Sequence, residues 1–217
     1  MNCLPLKMDL HVHTCYSYDA TTTLREVVVY AKKRGLDGVA ITDHDTVEGA
    51  LKLAQKSNLL IVPCVEVTTQ RGHVLALNVT TPIPPGLSLF ETIQRIHEVG
   101  GIAVAAHPTA VYKGGLRRQI IPSFDAVEVI NSKTFPFFLS TYLGRKVAIR
   151  LNLPQTAGSD AHHASEIGLA YTLIEADPDI DEIIRAIKRG AAVPVGKPIT
   201  WKTRLQNAMS SLKRRRM

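Results

Sequence analysis

The sequence predicts an α/β domain built on a mainly parallel sheet that closes, or nearly closes, into a barrel. Two observations predict this fold class. Short apolar runs alternate with amphipathic helical patterns along the 217-residue chain, and the seven or eight strands that these runs suggest are enough to close a sheet. No internal domain boundary is visible, so we expect one domain over residues 1–200 and a basic C-terminal helix or tail over residues 201–217.

The strands are predicted where apolar runs end in turn or loop signals. These runs cover residues 8–13, 37–42, 59–67, 72–79, 102–106, 125–130, 155–157 and 170–175, and a short run at 191–195 is a candidate for a last strand. The third and fourth runs lie too close in sequence for a crossover helix, so we expect them to form an antiparallel hairpin. Such a hairpin would distort a regular (β/α)8 barrel.

The helices are predicted from capping residues and from apolar residues that recur with a helical period. Thr23 with Glu26 forms a capping box at the start of the first helix, and Ser88 with Glu91 does the same for the third. We expect Asp45 to cap the second helix. The five helices therefore start at or near residues 23, 45, 88, 137 and 177.

The positive charge of the chain is concentrated at its C-terminus. The net charge is +7, and the 17 residues from Trp201 to Met217 contain six basic side chains and no acidic one. The body of the protein is therefore almost neutral, and an electrostatic attraction to nucleic acid is expected of the tail only.

Cysteine usage and hydropathy indicate a cytoplasmic protein. Cys3, Cys15 and Cys64 are odd in number and scattered, which argues against a disulfide framework. We expect Cys15 and Cys64 to act as small apolar packing residues. No apolar run is long enough for a transmembrane helix, and the first residues do not have the pattern of a signal peptide.

Side chains that can bind a metal recur at the ends of the predicted strands. Asp9, His11 and His13 share one face of the first strand, and the Cα atoms of the two histidines should lie about 6.6 Å apart. Imidazoles at that spacing can converge on one ion, although an inward-facing polar triad would show the same pattern. Five further candidates lie at or just beyond the C-terminal ends of other strands: His44, Glu66, His107, Asp160 and His162.

The position of these residues indicates an active site, because barrel enzymes carry their chemistry at the C-terminal edge of the strands. Histidine and carboxylate ligands without clustered cysteine suit zinc, manganese or iron. Several ligands around a bridging carboxylate suit two or three ions, as in enzymes that hydrolyse phosphoesters. By contrast, His97 lies in a helical pattern and is expected at the surface, and the role of His163 stays open.

Five ordered motifs resemble the polymerase and histidinol phosphatase (PHP) family. They are Asp9-Leu10-His11-Val12-His13-Thr14-Cys15-Tyr16-Ser17 with Asp19, Ile41-Thr42-Asp43-His44-Asp45, Glu66 followed by Gly72-His73, Ala106-His107-Pro108, and Gly158-Ser159-Asp160-Ala161-His162. The resemblance runs from residue 8 to about residue 196. Within the family it is greatest to the small stand-alone phosphoesterases of the tryptophan-operon type.

The resemblance implies a distorted (β/α)7 TIM-like barrel that hydrolyses phosphoesters with two or three divalent ions of manganese, zinc or iron. It implies nine metal ligands: His11, His13, Asp19, His44, Glu66, His73, His107, Asp160 and His162. In this scheme Glu66 bridges two ions, and Asp19, His44 and His162 hold a third. A metal-bound hydroxide is the nucleophile, and no side chain has a further catalytic role.

The resemblance also implies a substrate class, with alternatives. Phosphoesterases of the tryptophan-operon type act on nucleoside bisphosphates and on the 5′ ends of short RNA. Only 34 positions separate His73 from His107 here, whereas those enzymes usually carry a sizeable insert between the same positions. A histidinol-phosphatase-like phosphomonoesterase, an exonuclease that trims nucleic-acid ends and a non-catalytic RNA-binding subunit are therefore kept as alternatives.

Two further groups of residues are predicted to support the site. Lys113, Arg117 and Arg118 lie on a glycine-containing loop after the His107 strand and could bind the substrate phosphate, unless they form a solvated basic loop. Asp9 and Asp45 could orient the imidazoles of metal ligands, or else make hydrogen bonds at a strand end and a helix cap.

The C-terminal tail has an amphipathic pattern. Five apolar residues fall on one helical face: Trp201, Leu205, Ala208, Met209 and Leu212. We expect this face to pack on the barrel. The cluster Lys213-Arg214-Arg215-Arg216 would then bind nucleic acid weakly and without sequence preference, or only raise solubility.

Overall fold

The structure is a computed structural model that describes residues 4–110, 115–116 and 120–205, and a nine-stranded sheet forms its centre. The strands are β1 (Leu6–Val12), β2 (Gly38–Ile41), β3 (Leu60–Thr69), β4 (Gly72–Leu77), β5 (Ile102–Ala105), β6 (Ala126–Asn131), β7 (Gln155–Gly158), β8 (Ala170–Ile174) and β9 (Ala192–Gly196). Their order across the sheet is β7-β6-β5-β4-β3-β2-β1-β8-β9.

The sheet combines parallel and antiparallel pairs. β1, β2 and β3 are parallel neighbours, as are β5, β6 and β7. The predicted hairpin is confirmed: β4 runs antiparallel to β3, with Thr69 opposite Gly72 at the turn. β4 is also antiparallel to β5, and β8 is antiparallel to both β1 and β9. These reversed strands make the barrel irregular.

The sheet closes next to the carboxyl ends of β1 and β7. Val12 forms an isolated parallel bridge with Ala161, and the amide of Asp160 donates a hydrogen bond to the carbonyl of His11 at 2.8 Å. The predicted fold class, a distorted TIM-like barrel, is confirmed. The sheet has nine strands, two more than the (β/α)7 description, because β8 pairs antiparallel with β1 and β9 pairs antiparallel with β8 at this edge.

Five α-helices cover the barrel in the described part of the chain. They are α1 (Leu24–Lys33), α2 (Glu48–Ala54), α3 (Leu89–Glu98), α4 (Phe137–Leu151) and α5 (Ile180–Lys188). The capping boxes predicted for α1 and α3 are both confirmed. The predicted cap of α2 by Asp45 is wrong, because the helix begins only at Glu48, whose amide bonds to the hydroxyl of Thr46.

Apolar residues fill the barrel and the layer between the sheet and the helices. One large buried cluster joins β3 to β6 with α3 and α4, and a second packs α5 against β1 and its neighbours. In α5 the residues Ile183, Ile184 and Ile187 are buried on one face, as their helical spacing predicts. Cys64 lies in this core as expected, whereas Cys15 is exposed, so its predicted packing role is wrong.

The start of the C-terminal segment is helical from residue 201 to residue 205. Trp201 and Leu205 are 70% and 65% exposed there, so they do not form the buried apolar face that the sequence predicts. Residues 206–217 lie outside the described residues, and the division into a domain over 1–200 and a tail over 201–217 stays a prediction. No helix in the described ranges combines the length and the hydropathy that crossing a bilayer requires.

Candidate metal centre

The imidazoles of His11 and His13 face the same space at the end of β1. Their Nε2 atoms are 3.1 Å apart, and both rings are fully buried. His11 lies in the strand and His13 directly follows it, so the period of two places both side chains on one face, as predicted. The amide of His13 donates to the carbonyl of Ala161, which fixes the end of the strand.

The other ring nitrogen of each histidine has a hydrogen-bonding partner behind it. Nδ1 of His11 lies 2.9 Å from Oε1 of Glu128, and Nδ1 of His13 lies 3.1 Å from the hydroxyl of Ser17. In the neutral tautomers that donate from Nδ1, both Nε2 lone pairs point at the shared space. Two facing lone pairs at this distance repel each other unless a cation lies between them, so the donor set suits a metal ion.

Glu66, on β3, lies between two groups of histidines. Its Oε2 atom is 3.3 Å from Nε2 of His11 and 3.1 Å from Nε2 of His13. Its Oε1 atom is 2.9 Å from Nδ1 of His73 and 3.0 Å from Nε2 of His107. Because each carboxylate oxygen faces a different pair of imidazoles, Glu66 has the geometry of a ligand that could bridge two ions.

A third group of side chains lies on the open side of the cavity. Oδ2 of Asp19 is 3.0 Å from Nε2 of His162 and 3.6 Å from Nε2 of His44. His44 also reaches towards Glu66, with Nδ1 at 3.4 Å from Oε2. Nδ1 of His44 is buried and makes no hydrogen bond to the described residues.

The spacing of the candidate ligands fits divalent ions. Ligands about 2.1 Å from one ion lie roughly 3.0 Å apart in octahedral geometry and roughly 3.4 Å apart in tetrahedral geometry. Oδ1 of Asp160 is 3.7 Å from Nε2 of His11 and 3.5 Å from Nε2 of His13, close to these values. All nine predicted ligands fall into four overlapping groups in which the ligand atoms lie within 4.8 Å of one another. His97 and His163 lie outside these groups, and His97 pairs instead with Asp125 at the surface.

The electrostatics of the cluster favour ionised carboxylates. Burial would raise the pKa of Glu66, but His11, His107 and His13 outweigh it and hold the pKa well below its usual value. Burial would likewise raise the pKa of Asp160, but the charges of Lys133 and His11 hold it well below normal. Both groups are therefore ready to bind a cation at neutral pH.

The surroundings shift the pKa values of His11 and His13 in opposite directions. Burial alone would lower the pKa of His11, but the carboxylates of Glu128, Asp160 and Glu66 raise it well above its usual value. Burial lowers the pKa of His13 to about 4, and the nearby His162 adds to this effect. A neutral imidazole is the form that binds a metal, so His13 is prepared for ligation and His11 must first release a proton.

Backbone strain coincides with the site. His107 and Asp160 are candidate ligands with φ of 28° and 55°, and Asp45 beside His44 has φ of 56°. Residues other than glycine seldom adopt this left-handed region, and such strain is concentrated at functional sites in proteins. The surrounding hydrogen bonds hold these turns, since the amide of His107 donates to Glu128 at 2.7 Å.

The hydrogen bonds of Asp9 and Asp45 differ from the predicted role in orienting imidazoles. Asp9 accepts hydrogen bonds from the backbone amides of His11, Ser159 and Gly168 at 3.3, 2.9 and 2.8 Å. Asp45 accepts a hydrogen bond from the amide of Thr68 at 2.7 Å. Both carboxylates thus bind backbone amides, and Asp9 joins three segments of chain beneath the site.

Two charged residues of the site were missed by the sequence analysis. Glu128 is buried in the middle of β6, where it contacts His11, the amide of His107 and the amide group of Asn131. A charge inside an apolar strand was the available signal, because a buried carboxylate needs partners. Lys133 follows β6, and its Nζ atom lies 3.7 Å from Oδ1 of Asp160. Nothing in the local sequence marked this lysine.

The cluster lines an open cavity of about 300 Å³. Tyr18 and Thr68 line it together with Lys133 and seven of the candidate ligands. The predicted phosphate-binding residues Lys113, Arg117 and Arg118 lie outside the described residues, so that prediction stays untested. A wider cleft of about 630 Å³ elsewhere, between the end of α4 and β9, contains none of the candidate ligands.

The chain matches known proteins in the segments that carry these residues. A family model described as "PHP domain" matches residues 9–77, and one described as "PHP-associated" matches residues 142–192. An uncharacterized protein of Methanocaldococcus jannaschii is 37% identical over 141 residues, which make up 58% of this chain and 82% of that relative. The chain belongs to the PHP family.

Two other matches extend this finding. A protein of Eggerthella lenta named phosphoribosyl 1,2-cyclic phosphate 1,2-diphosphodiesterase is 34% identical over 99 residues, which are 41% of this chain and 37% of that protein. A crystal structure of a two-domain protein of Bacteroides vulgatus, described as containing a predicted PHP-like metal-dependent phosphoesterase, superposes with a TM-score of 0.73. The two chains share 17% identity, and the superposition covers 88% of this chain and 65% of the other. This match supports the PHP fold.

Proposed function

We propose that this PHP protein hydrolyses phosphate esters with two or three divalent ions of manganese, zinc or iron. The protein is a metal-dependent phosphoesterase, as its family and its named relatives indicate. The observation that carries the finer proposal is the position of Glu66, whose two oxygens face different pairs of imidazoles. A bridging carboxylate is typical of multinuclear sites that hydrolyse phosphoesters.

The proposed ligand set divides into three groups, of which the first two share Glu66. The first ion would be held by His11, His13, Glu66 and Asp160, the second by Glu66, His73 and His107, and the third by Asp19, His44 and His162. When bound, the ions supply a nucleophile from water at neutral pH and offset negative charge on the phosphoryl oxygens. Glu128 and Ser17 orient the rings of His11 and His13 towards the ions.

We further propose a nucleotide or the end of a short nucleic acid as the substrate. The resemblance to phosphoesterases of the tryptophan-operon type supports this class, and the Eggerthella lenta relative is named for a phosphoribosyl substrate. A cavity of about 300 Å³ is at the small end of the range for ligand sites, which suits a compact phosphorylated molecule. A cytoplasmic location is part of the same proposal.

A substrate screen tests the proposal. The full chain would be assayed with phosphomonoesters, phosphodiesters and nucleoside bisphosphates in the presence of Mn²⁺, Zn²⁺ or Fe²⁺, with a chelator as the matched control. We expect nucleoside bisphosphates to be hydrolysed fastest and the chelator to abolish turnover. Preference for histidinol phosphate would replace the nucleotide proposal by the phosphomonoesterase alternative, and RNA binding without any turnover would favour the non-catalytic alternative.

A further inference from the structure

Lys133 is the only lysine or arginine among the described residues that line the cavity. Its side chain is 35% exposed, and its Nζ atom lies at 2.9 Å from both ring nitrogens of His162 and at 3.7 Å from Oδ1 of Asp160. The ammonium group therefore lies at the boundary between the metal ligands and solvent, where the phosphate of a substrate would enter.

The hydrogen-bonding capacity of Lys133 is not used up by its neighbours. The lone pairs of the two ring nitrogens diverge in the ring plane, so an atom equidistant from both cannot be aligned with both. In addition, Nδ1 of His162 lies 3.0 Å from the carbonyl of Asp160, and Nε2 lies 3.0 Å from Oδ2 of Asp19. A lysine carries three N–H donors, so Lys133 has donors left for an anion in the cavity.

The C-terminal segment holds the loop that carries Lys133. The amide of Ile199 donates to the carbonyl of Ser132 at 3.0 Å, on one side of the lysine. On the other side the ring of Trp201 meets the ring of Phe135 edge-on, with 5.4 Å between centroids.

Arg204 also holds the loop that carries Lys133. Its guanidinium donates to the carbonyl of Lys133 at 2.9 Å and to that of Thr134 at 3.3 Å. An arginine that bonds two successive carbonyls restricts the backbone on which the lysine side chain is mounted, because its planar group fixes the direction of both bonds. The segment after β9 is thus connected directly to the wall of the cavity.

We propose that Lys133 binds the phosphate group of the substrate and that Arg204 is a positioning residue for Lys133. The proposal rests on the proposed phosphoesterase function and adds a specificity for anionic substrates. A lysine is a compact charge that binds phosphate oxygens in many proteins, and its attraction is strengthened in a partly buried site. Lys133 would provide positive charge at the solvent edge of the ligand cluster, beside Asp160 and His162.

The first test measures phosphate binding directly. Calorimetry with inorganic phosphate and the Mn²⁺-loaded full chain compares the native protein with Lys133→Ala, Lys133→Arg and the control Lys56→Ala. Lys56 is an exposed lysine beyond α2, before the start of β3, at the opposite end of the strand from Glu66. We expect Lys133→Ala to weaken phosphate binding about 10- to 100-fold with unchanged metal content, Lys133→Arg to keep part of the affinity, and Lys56→Ala to have no effect.

The second test concerns Arg204. Arg204→Ala should weaken phosphate binding and raise the KM for 4-nitrophenyl phosphate about three- to tenfold, and Arg204→Lys should recover part of the loss. Arg189→Ala is the control, because the guanidinium of Arg189 donates to one backbone carbonyl, that of Glu175, and neither residue lines the cavity. If Lys133→Ala binds phosphate as well as the native protein, the proposal is overturned even when turnover confirms the phosphoesterase function. Arg204→Ala that behaves as Arg189→Ala would overturn the positioning role. Phosphate binding does not need turnover, so the two proposals fail separately.

Discussion

Glu128 lies behind the candidate ligand His11 and contacts its ring through one of its two carboxylate oxygens. Its Oε1 atom faces Nδ1 of His11, while its Oε2 atom accepts hydrogen bonds from the amide of His107 and from Asn131. As a carboxylate it is an acceptor only, so His11 must donate from Nδ1. The lone pair on Nε2 of His11 is thereby kept towards Glu66 and Asp160.

We predict that Glu128→Gln reverses the tautomer of His11. The glutamine oxygen would keep the bonds from His107 and Asn131, so its NH2 group would face Nδ1 of His11 and require an acceptor there. Nε2 would then carry the proton and could not bind a metal. The affinity for Mn²⁺ should fall about 10- to 100-fold, measured by metal titration, with an unchanged circular dichroism spectrum.

The exposed carboxylate of Glu98 offers a control for Glu128. It lies at the end of α3 and pairs with Arg95 at the surface, so Glu98→Gln should titrate with Mn²⁺ as the native protein does. Native-like metal affinity in Glu128→Gln would show that the orientation of His11 does not depend on Glu128.

The two histidines that the strand period places together and the residues that were missed differ in the range of their interactions. His11 and His13 could be placed together because the strand period is a local property. The partners of Glu128 and Lys133 are more distant: His11 lies 117 positions away from Glu128, and Arg204 lies 71 positions away from Lys133. Pairs of this kind are set by the tertiary fold, which periodicity does not encode.

At the scale of single elements, the close approach of β1 and β7 depends on Gly158. A Cβ atom at this position would lie 2.3 Å from Cβ of His11, 2.8 Å from its backbone nitrogen and 2.9 Å from Oε1 of Glu128. These atoms belong to a strand and to a hydrogen-bonded carboxylate, so they cannot move aside without disturbing the ligand. A glycine here lets the carboxyl ends of two strands meet at the site.

We predict that Gly158→Ala destabilises the protein by about 1–3 kcal/mol or more and also weakens metal binding. Thermal or urea unfolding monitored by circular dichroism measures the stability. Gly144→Ala is the matched control, because the added Cβ on α4 would lie 3.3 Å from the nearest atom, Cα of Val129, and the helix gains from alanine. Equal stability of the two variants would contradict the close packing of β1 on β7.

The sequence predicted the start of a helix correctly where a capping side chain determines that start. The capping boxes at Thr23 and Ser88 place the starts of α1 and α3. The start of α2 could not be predicted from Asp45, because that residue has a left-handed backbone and its carboxylate binds the amide of Thr68. A site that needs a strained turn here overrides the local helix signal.

At the scale of the whole molecule, metal binding and proton release are linked. The carboxylates around His11 raise the pKa of its imidazolium above the usual value despite burial, so the metal-free protein holds a proton that an ion must displace. Lower pH favours the protonated ring and therefore opposes the metal. The ions bind the folded state, so they should also raise the unfolding temperature.

We predict that the affinity for Mn²⁺ falls as the pH is lowered from about 8 to about 6, by as much as tenfold per pH unit for each proton displaced. Metal titrations at several pH values in a non-coordinating buffer measure this dependence, and the unfolding temperature with saturating metal gives a second readout. An affinity that stays constant over this range would contradict protonation of the ligand cluster in the metal-free protein.

The barrel brings together candidate ligands that are far apart in the sequence. Glu66 is the one candidate ligand whose two oxygens contact both pairs of histidines, so the central claim, a multinuclear metal site that hydrolyses phosphoesters, depends on it. The most direct test measures metal content by elemental analysis and hydrolysis of a phosphoester on the same preparations of the native protein and of Glu66→Gln. We predict two or three divalent ions per native chain. In the variant at least one ion should be lost and turnover should fall by more than the roughly 10- to 100-fold typical of outer ligand partners. A native protein that hydrolyses phosphoesters without bound metal, or a Glu66→Gln variant with full metal content and full turnover, would contradict the claim.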